Sequence, residues 1–224
     1  MVVRSRVDGP VPGTVTRKIT GSPFDPLVKA LFPRIAALVP LAVTPNMITK
    51  LGLAATFGTA LSVVLARFVP SLLLVGSALV LVNWVADTLD GEVARQRGQC
   101  SRLGDFYDHI FDAFMCAAIN IGLAFSGLCQ PVLPLLLGVV FLLNFAITYK
   151  GEQATGVYEL LTFGPTEVRL GIIFFFTTTY FFHGVVLDIW GLGLTVLDLG
   201  FVFGIVWSLA YIAVLFRRYE KRLR

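Results

Sequence analysis

Charged residues are scarce in this 224-residue chain: Asp, Glu, Lys and Arg together make up 14% of it. Soluble domains contain roughly 25% charged residues, so the shortage argues against a soluble globular enzyme and against a disordered chain. It also argues against a nucleic-acid-binding domain, even though the sequence pI is about 9.1, because basic residues that flank membrane segments have a separate explanation. Apolar residues are abundant instead, at 56% of the chain. The composition predicts an integral membrane protein.

Cysteine is also rare, and the three that are present (Cys100, Cys116 and Cys129) show no spacing typical of metal ligands. We therefore interpret them as small apolar packing residues. Residues 1–23 are polar and basic and lack an apolar run after the early arginines, so we do not expect a cleaved signal peptide there. Flexible linkers and internal repeats are absent from the sequence too, which favours a single membrane domain.

Long apolar segments make up most of the chain, and they predict an all-α integral membrane fold with six transmembrane helices. A shorter apolar segment carries Lys29 and Arg34 on one side, which predicts an interfacial amphipathic helix before the first span. The predicted organisation is a polar cytoplasmic segment, the interfacial helix, a six-helix transmembrane domain and a basic cytoplasmic tail, at residues 1–23, 24–40, 44–216 and 217–224.

The six spans are predicted near residues 46–68, 70–95, 104–128, 132–149, 165–185 and 192–216. Thr44 and Pro45 mark the start of the first one, since Thr caps free amides and Pro fits the first helical position. With six spans, both termini share a side with nearly all of the 18 Lys and Arg residues, and only Arg67 lies on the other side. The positive-inside rule therefore predicts that both termini are cytoplasmic.

Aspartates cluster at the predicted cytoplasmic ends of the second and third spans. Asp87 and Asp90 are three residues apart, and Asp108 and Asp112 are four apart, so each pair shares one face of a helix. Unpaired carboxylates near a membrane are costly and repel one another unless a cation lies among them. Ligation by carboxylate oxygens alone is typical of a hard ion rather than zinc. The pattern predicts a site for Mg²⁺ or Mn²⁺.

Small and basic residues accompany these acids. Gly91 and Ala94 lie on the same stripe as the first pair and leave room for a large substrate beside the helix backbone. Arg95, one turn further, is well placed to bind a phosphate, and Gly104 aligns with the second acid pair. A metal site, an open approach and a phosphate-binding arginine together indicate metal-assisted phosphoryl transfer. Single acids such as Glu92 are interpreted as solvated or paired.

The stretch from Asp87 to Asp112 follows the pattern D-x2-D-G-x2-A-R-x8-G-x3-D-x3-D. It resembles, at every fixed position, the signature of the CDP-alcohol phosphotransferase family. Residues 44–49 also look like the family's usual entry to its first span. The resemblance implies a membrane enzyme, commonly homodimeric, that uses two divalent ions (Mg²⁺ or Mn²⁺) and works at the cytoplasmic face. An alcohol hydroxyl attacks the β-phosphorus of a CDP-linked donor, and CMP leaves.

The resemblance also implies a role for each matched residue. Asp87, Asp90 and Asp108 would be metal ligands. Asp112 would be the general base and would also touch the second metal. The residues that contact the CDP group would be Asp87, Gly91, Ala94, Arg95 and Gly104. His109 is an alternative base, because an unperturbed pKa of about 6.5 suits proton transfer, although it points about 100° away from Asp108 on a helix.

Two assignments of donor and acceptor stay open. Residues 104–112 resemble the G-E-L-F-D-H-G-C-D run of choline and ethanolamine phosphotransferases, with departures at Asp105, Ile110 and Phe111. This resemblance favours CDP-choline or CDP-ethanolamine as the donor and diacylglycerol as the acceptor. The amino-terminal segment instead looks like small prokaryotic members, which favours CDP-diacylglycerol plus a polar alcohol such as inositol phosphate, glycerol phosphate or serine, and a prokaryotic cell membrane.

The head group of the polar partner would be bound near the fourth predicted span. Lys150 and Arg169 are candidates for an acceptor's phosphate, whereas Glu152 could hold an amine. A rival from another class is a cation or proton transporter, which would place acids at mid-membrane on several helices. Here Asp198 is the only acid within the sixth predicted span, and the centres of the first, fourth and fifth contain none. The enzyme is therefore the preferred interpretation, with a membrane lipid and no nucleic acid among its partners.

Overall fold

The computed structural model describes residues 17–19, 22–159, 164–182, 184–189 and 191–224; the side chains of residues 17–19, Arg102, Asp105, Asp108 and His109 lie outside this description. Most of the chain is helical, as the apolar segments predict. In order, the elements are β1 (Arg17–Ile19), α1 (Asp25–Leu38), α2 (Pro45–Leu65), α3 (Leu72–Gln96), α4 (Arg102–Ser126), α5 (Val132–Thr155), β2 (Val157–Glu159), α6 (Pro165–Phe181), β3 (Val185–Ile189), β4 (Leu192–Thr195) and α7 (Val196–Leu223).

Capping side chains determine where the site-bearing helices begin. Thr44 Oγ1 accepts a hydrogen bond from the backbone N–H of Met47 at 3.3 Å, and Pro45 is the first residue of α2, which confirms the predicted start. α4 begins in the same manner, because Ser101 Oγ accepts a hydrogen bond from the N–H of Gly104 at 3.0 Å. Both caps satisfy amides that the helix itself leaves without acceptors.

Four helices, α2, α3, α5 and α7, are long and apolar enough to cross a membrane. Within the described residues, the apolar part of α4 runs only from Ile110 to Ser126, and α6 has 17 residues, the short end of the roughly 17–25 that a span needs. The integral membrane class is thus supported, and the count of six spans stays a prediction. The interfacial position of α1 also stays a prediction; its side chains Leu27, Leu31 and Leu38 are exposed.

The bundle is organised around α2, which packs against both α3 and α4, while α3 also contacts α1 and α6, and α5 contacts α4 and α7. A Cβ at Gly122 of α4 would lie 2.9 Å from the backbone oxygen of Ala60 in α2, so this close approach needs glycine. The main core is apolar and includes Val63, Leu73, Val80, Met115, Ile119, Phe176 and Phe201. The helices that carry the predicted acids are therefore held by packing on several sides.

Two small sheets correct the all-α prediction. β1 pairs in parallel with β2, and β3 pairs with β4 as an antiparallel hairpin. The hairpin occupies residues that were expected to end the fifth span and begin the sixth. Gly184 (φ 135°) and Gly191 (φ 82°) adopt backbone conformations that other residues rarely reach, and Asp188 Oδ1 accepts the N–H of Gly191 at 2.8 Å to close the turn.

Residues 217–224, predicted as a basic tail, are almost entirely the last part of α7. Glu159 of β2 is 1% exposed, and its carboxylate accepts hydrogen bonds from Arg222 Nε at 2.7 Å and Arg218 at 3.4 Å. Tyr219 Oη accepts the backbone N–H of Glu159 at 3.3 Å. A buried carboxylate is tolerated when cations pair with it, so these arginines hold the end of α7 against β2.

Candidate active site

Three of the predicted acids, Asp87, Asp90 and Asp112, meet residues of α2 and α6. On α3, Asn83, Asp87 and Asp90 follow one another at spacings of four and three residues, so they share one face of the helix. Asp112 faces them from α4, and Arg169 reaches them from α6. Because α3 packs between α2 and α6, polar groups that are far apart in the sequence meet here.

Arg169 is the central cation of this cluster and is 1% exposed. Its terminal nitrogen lies 2.8 Å from Asp112 Oδ1 and 3.1 Å from Asp87 Oδ2. Its Nε donates a hydrogen bond to Asn83 Oδ1 at 2.9 Å. Asn83 is in turn fixed to α2, since its amide nitrogen donates to the backbone oxygen of Gly52 at 3.1 Å. One guanidinium thus offsets the charge of two carboxylates and sets their spacing across α3 and α4.

Asp90 is bound differently from the other two acids. It is 7% exposed; its Oδ2 accepts a hydrogen bond from Thr49 Oγ1 of α2 at 2.5 Å, and its Oδ1 accepts one from the N–H of Gly91 at 2.5 Å. Hydrogen bonds of this kind fix the orientation of a carboxylate. Asp90 is therefore held in place without an arginine partner among the described contacts.

A small cavity of about 20 Å³ separates these groups; its lining residues are Thr49, Gly52, Leu53, Thr56, Asn83, Asp87, Asp90, Phe111 and Asp112. Three of the four predicted metal-binding acids share it, and the polar side-chain groups around it are carboxylate, hydroxyl and amide, beside the apolar Leu53 and Phe111. This oxygen-rich set fits a hard divalent cation. Among the described side chains no three His, Cys, Asp or Glu residues group closely enough to form a complete metal site; the fourth acid, Asp108, lies outside the described side chains, as does His109.

The residues predicted to contact CDP lie around the cytoplasmic ends of α3 and α4 in the predicted topology. Arg95 is exposed and forms an ion pair with Glu92 at 2.9 Å. A Cβ on Gly91 would come within 3.2 Å of the Arg95 guanidinium, so glycine leaves that guanidinium space beside the helix. Ala94 is half-buried on the same helix, and Gly104 lies in the first turn of α4. Arg95 is the exposed cation nearest to these acids in the sequence.

The predicted head-group residues do not form one cluster. Lys150 is exposed and donates a hydrogen bond to Gln153 at 3.3 Å, whereas Arg169 is committed to the acids described above. Glu152 is half-buried near Tyr158. Burial raises the pKa of the Tyr158 phenol above its ordinary value, and the nearby Asp112 and Glu152 carboxylates raise it further. Tyr158 is therefore a neutral hydrogen-bond donor at physiological pH.

A second, larger cavity of about 300 Å³ lies among α4, α5, α6 and α7. Most of its wall is apolar, from side chains such as Ile119, Leu123, Phe141 and Ile172. Asp112 lines both this cavity and the small polar one. The predicted catalytic base is therefore the residue that the two cavities share.

Sequence reasoning did not identify Asn83 as a site residue, or Thr49 as the partner of Asp90. A signal for Asn83 was present, because it lies one helical turn before Asp87 on the same face. Arg169 was proposed from the sequence as a phosphate ligand, and its contacts with Asp87 and Asp112 could not be read from spacing, since they join residues more than 50 positions apart.

Fold and site together define a helical membrane protein with a carboxylate site suited to a divalent cation. Residues 42–206 match the model of the CDP-alcohol phosphatidyltransferase family, and the chain belongs to that family. The resemblance of the aspartate signature to that family is thereby confirmed.

Curated relatives of the chain include enzymes of both predicted substrate branches. It is 28% identical over 187 residues to cholinephosphotransferase 1 of Homo sapiens, which covers 76% of this chain and 45% of that protein. It is 34% identical over 110 residues to archaetidylinositol phosphate synthase of Pyrococcus horikoshii, which covers 49% of this chain and 56% of that protein. The chain spans only 33% to 56% of the length of the curated relatives it matches.

The fold is also similar to solved structures of phosphatidylinositol phosphate synthase from Mycobacterium tuberculosis. The structure with CDP-DAG bound has a TM-score of 0.64 at 19% identity and covers 85% of this chain and 94% of that chain. The same synthase has been solved with manganese and citrate, with a TM-score of 0.62 at 20% identity, covering 87% of each chain. At this level of identity the likeness shows a shared fold.

Proposed function

We propose that the chain is a metal-dependent phosphotransferase that moves a phosphoalcohol group from a CDP-linked donor to an alcohol hydroxyl and releases CMP. The observation that carries this proposal is the convergence of Asp87, Asp90 and Asp112 on one small cavity, in a chain that belongs to the CDP-alcohol phosphatidyltransferase family. Arg169 pairs with two of these carboxylates, and Asp90, which has no arginine partner among the described contacts, brings a further acid to the same cavity.

In the proposed reaction, the acceptor oxygen forms a bond to the β-phosphorus and the bond from that phosphorus to the CMP oxygen breaks. The hydroxyl proton passes to Asp112, which acts as the general base. Asp87, Asp90 and Asp108 would hold the divalent ions, whose chemistry is to neutralise the charge that develops on the phosphate oxygens. Arg95, an exposed arginine beside Gly91, would bind the donor's pyrophosphate.

Arg169 has a positioning role in this scheme. Its guanidinium holds Asp112 on α4 and Asp87 on α3 at 2.8 and 3.1 Å, so the base and a metal ligand are already close before a substrate arrives. Thr49 orients Asp90 in the same way. Mutations that remove contacts of this kind around metal ligands commonly lower metal affinity or activity by about 10- to 100-fold.

Two pairs of substrates are compatible with this chemistry. The likeness to a human cholinephosphotransferase over 76% of the chain favours a CDP-aminoalcohol donor with diacylglycerol as the acceptor. The likeness to an archaetidylinositol phosphate synthase favours a CDP-linked lipid donor with inositol phosphate or another polar alcohol. In either case, we propose that the reaction occurs at the cytoplasmic face of a prokaryotic cell membrane and in a homodimer, as the charge distribution and the family resemblance predict.

The proposal is tested by measuring CMP release from purified protein with CDP-choline, CDP-ethanolamine or CDP-diacylglycerol and a panel of acceptors. We expect release that stops in excess chelator and returns with Mg²⁺ or Mn²⁺. Asp112→Asn should lower the rate by about 10²- to 10⁴-fold while CDP-donor binding is retained. The matched control is Asp25→Asn, which changes an acid of α1 that pairs with Lys29 and should keep full activity. Full activity in chelator, or an unaffected Asp112→Asn variant, would rule the mechanism out.

A further inference from the structure

The last helix ends in a run of cations that divides between two faces. Residues 217–224 contain five basic side chains, which are Arg217, Arg218, Lys221, Arg222 and Arg224. Arg218 and Arg222 are four residues apart, so they share one face of α7, and both pair with the buried Glu159 of β2. These contacts account for two of the five cations and leave the role of the other three to be explained.

Arg217, Lys221 and Arg224 lie on the opposite face of α7. Leu215 and Tyr219 are buried and mark the face that packs inward. Successive helical residues are rotated by about 100°, so each of the three cations lies at least about 120° from both of these residues. All three are exposed. Arg224 pairs with a glutamate of the same turn, whereas neither Arg217 nor Lys221 has an acidic partner among the described contacts.

An exposed apolar stripe of α7 leads directly to these three cations. Its members are three or four residues apart and are all exposed; they are Leu199, Phe203, Val206, Ala210 and Val214. Arg217, Lys221 and Arg224 continue the same helical spacing. Because α7 is long and apolar enough to cross a membrane, we interpret the stripe as a lipid-facing surface, and the cations as its continuation beyond the hydrocarbon.

The length of the stripe agrees with this interpretation. Arg217 and Lys221 follow Leu199 by 18 and 22 residues, which corresponds to about 27 and 33 Å along a helix. These distances bracket the roughly 30 Å thickness of a bilayer's hydrocarbon core. The start of α7 is bound to the α4–α5 loop, where Asp198 accepts the N–H of Gln130. The cations therefore lie at the other end of the bundle, beside Glu159 and on the side of the acid cluster.

We propose that Arg217, Lys221 and Arg224 bind the phosphate of an anionic phospholipid head group whose acyl chains lie along the apolar stripe. Each Lys or Arg near a membrane surface attracts anionic lipid, and Arg donates paired hydrogen bonds to phosphate oxygens. The ion pairs with Glu159 fix the rotation of the helix end, so these three cations are presented outward together. The positive-inside rule accounts for cations at this end of α7, but not for their alignment with the stripe.

The test compares two double variants that each lose two positive charges. Arg217→Gln/Lys221→Gln removes the two cations without an acidic partner in the described contacts. Lys50→Gln/Arg67→Gln is the matched control, because it removes two exposed cations, one on α2 and one just after it. Each protein is purified in a neutral detergent and titrated with phosphatidylglycerol or phosphatidylcholine, and bound lipid is counted by native mass spectrometry. Both lipids contain a phosphate, but only phosphatidylglycerol has a net negative charge.

We expect the wild-type protein to prefer phosphatidylglycerol, and each cation removed from the face to lower this preference about fivefold. The control variant should keep the wild-type preference. Added salt should weaken it, because exposed charges are screened. Arg217→Lys, which keeps the charge, should retain most of the preference. The Tm of Arg217→Gln/Lys221→Gln in detergent alone should equal that of the wild type, because Arg218 and Arg222 still pair with Glu159.

Equal lipid preference in the wild type and Arg217→Gln/Lys221→Gln would overturn the proposal. An equal loss in the control variant would do the same, because total charge alone would then set the preference. Disulfide-linked dimers of Val214→Cys in bilayers, absent from the wild type, would also overturn it, since a second copy would cover the stripe. Binding of polyglutamate without a preference for phosphatidylglycerol would assign the cations to an acidic protein instead. None of these measurements involves CMP release, so the proposed function is tested separately.

Discussion

Replacing Arg169 by glutamine removes a buried positive charge that contacts both Asp87 and Asp112. Breaking a buried ion pair by removing one partner costs about 3–5 kcal/mol. The lower end applies here, because the side chains of Asp87 and Asp112 remain 26% and 18% exposed and keep part of their hydration. A loss of about 3 kcal/mol corresponds to a decrease in Tm of about 6–12 °C for a chain of this length.

The measurement is thermal unfolding in one detergent, followed by tryptophan fluorescence, first with chelator and then with Mn²⁺. In the wild-type protein a divalent ion competes with the guanidinium for the two carboxylates, whereas in Arg169→Gln that guanidinium is absent. We therefore expect Mn²⁺ to raise the Tm of the variant more than that of the wild type. Lys150→Gln is the control, because Lys150 is exposed and bound only to Gln153 in the contacts described. An Arg169→Gln variant within 2 °C of the wild type, in chelator, would refute this account of the cluster.

Two further substitutions test other parts of the structure. Thr49→Val removes the hydroxyl that donates a hydrogen bond to Asp90, so we expect Mn²⁺ affinity to fall by about 10- to 100-fold. Titration of bound Mn²⁺ measures this change. Unchanged affinity would mean that Asp90 needs no orienting partner. Glu159→Gln leaves Arg218 and Arg222 without their buried carboxylate, so we expect a lower Tm and unaltered Mn²⁺ affinity. The control is Glu220→Gln, because the partner of Glu220, Arg224, is exposed. Equal Tm values for the two variants would show that the buried pair adds no stability.

Local chemistry explains why much of the fold could be predicted from the sequence. Apolar segments located all six helices of the bundle, and Thr44 with Pro45 marked the start of α2, because capping depends on residues within one turn. The hairpin at residues 185–195 was missed, since a short apolar run fits a strand as well as a helix. Its strands are set by the backbone at Gly184 and Gly191, which periodicity does not reveal.

Part of the candidate site could also be predicted from the sequence, and part of it could not. The spacing of Asp87 and Asp90, and the position of Asp112 on the next helix, were enough to predict a cluster of acids from two helices, and the structure brings these three residues to one cavity. The partners of the acids could not be predicted, because Thr49 lies on α2 and Arg169 on α6, and they meet the acids only through packing. The roles of Asp108 and His109 stay predictions, as do the number of spans and the dimer.

The pairing of Glu159 with Arg218 and Arg222 has a consequence for the order of biosynthesis. Ribosomes deliver Glu159 long before these arginines, so its carboxylate has neither arginine partner while the last helix is still being made. A chain that stops before position 218 lacks both arginines, so β2 loses these contacts with α7. The turns of α7 that carry these arginines thus set the moment at which β2 becomes anchored, and a chain truncated before position 218 should unfold at a lower temperature than the 224-residue chain.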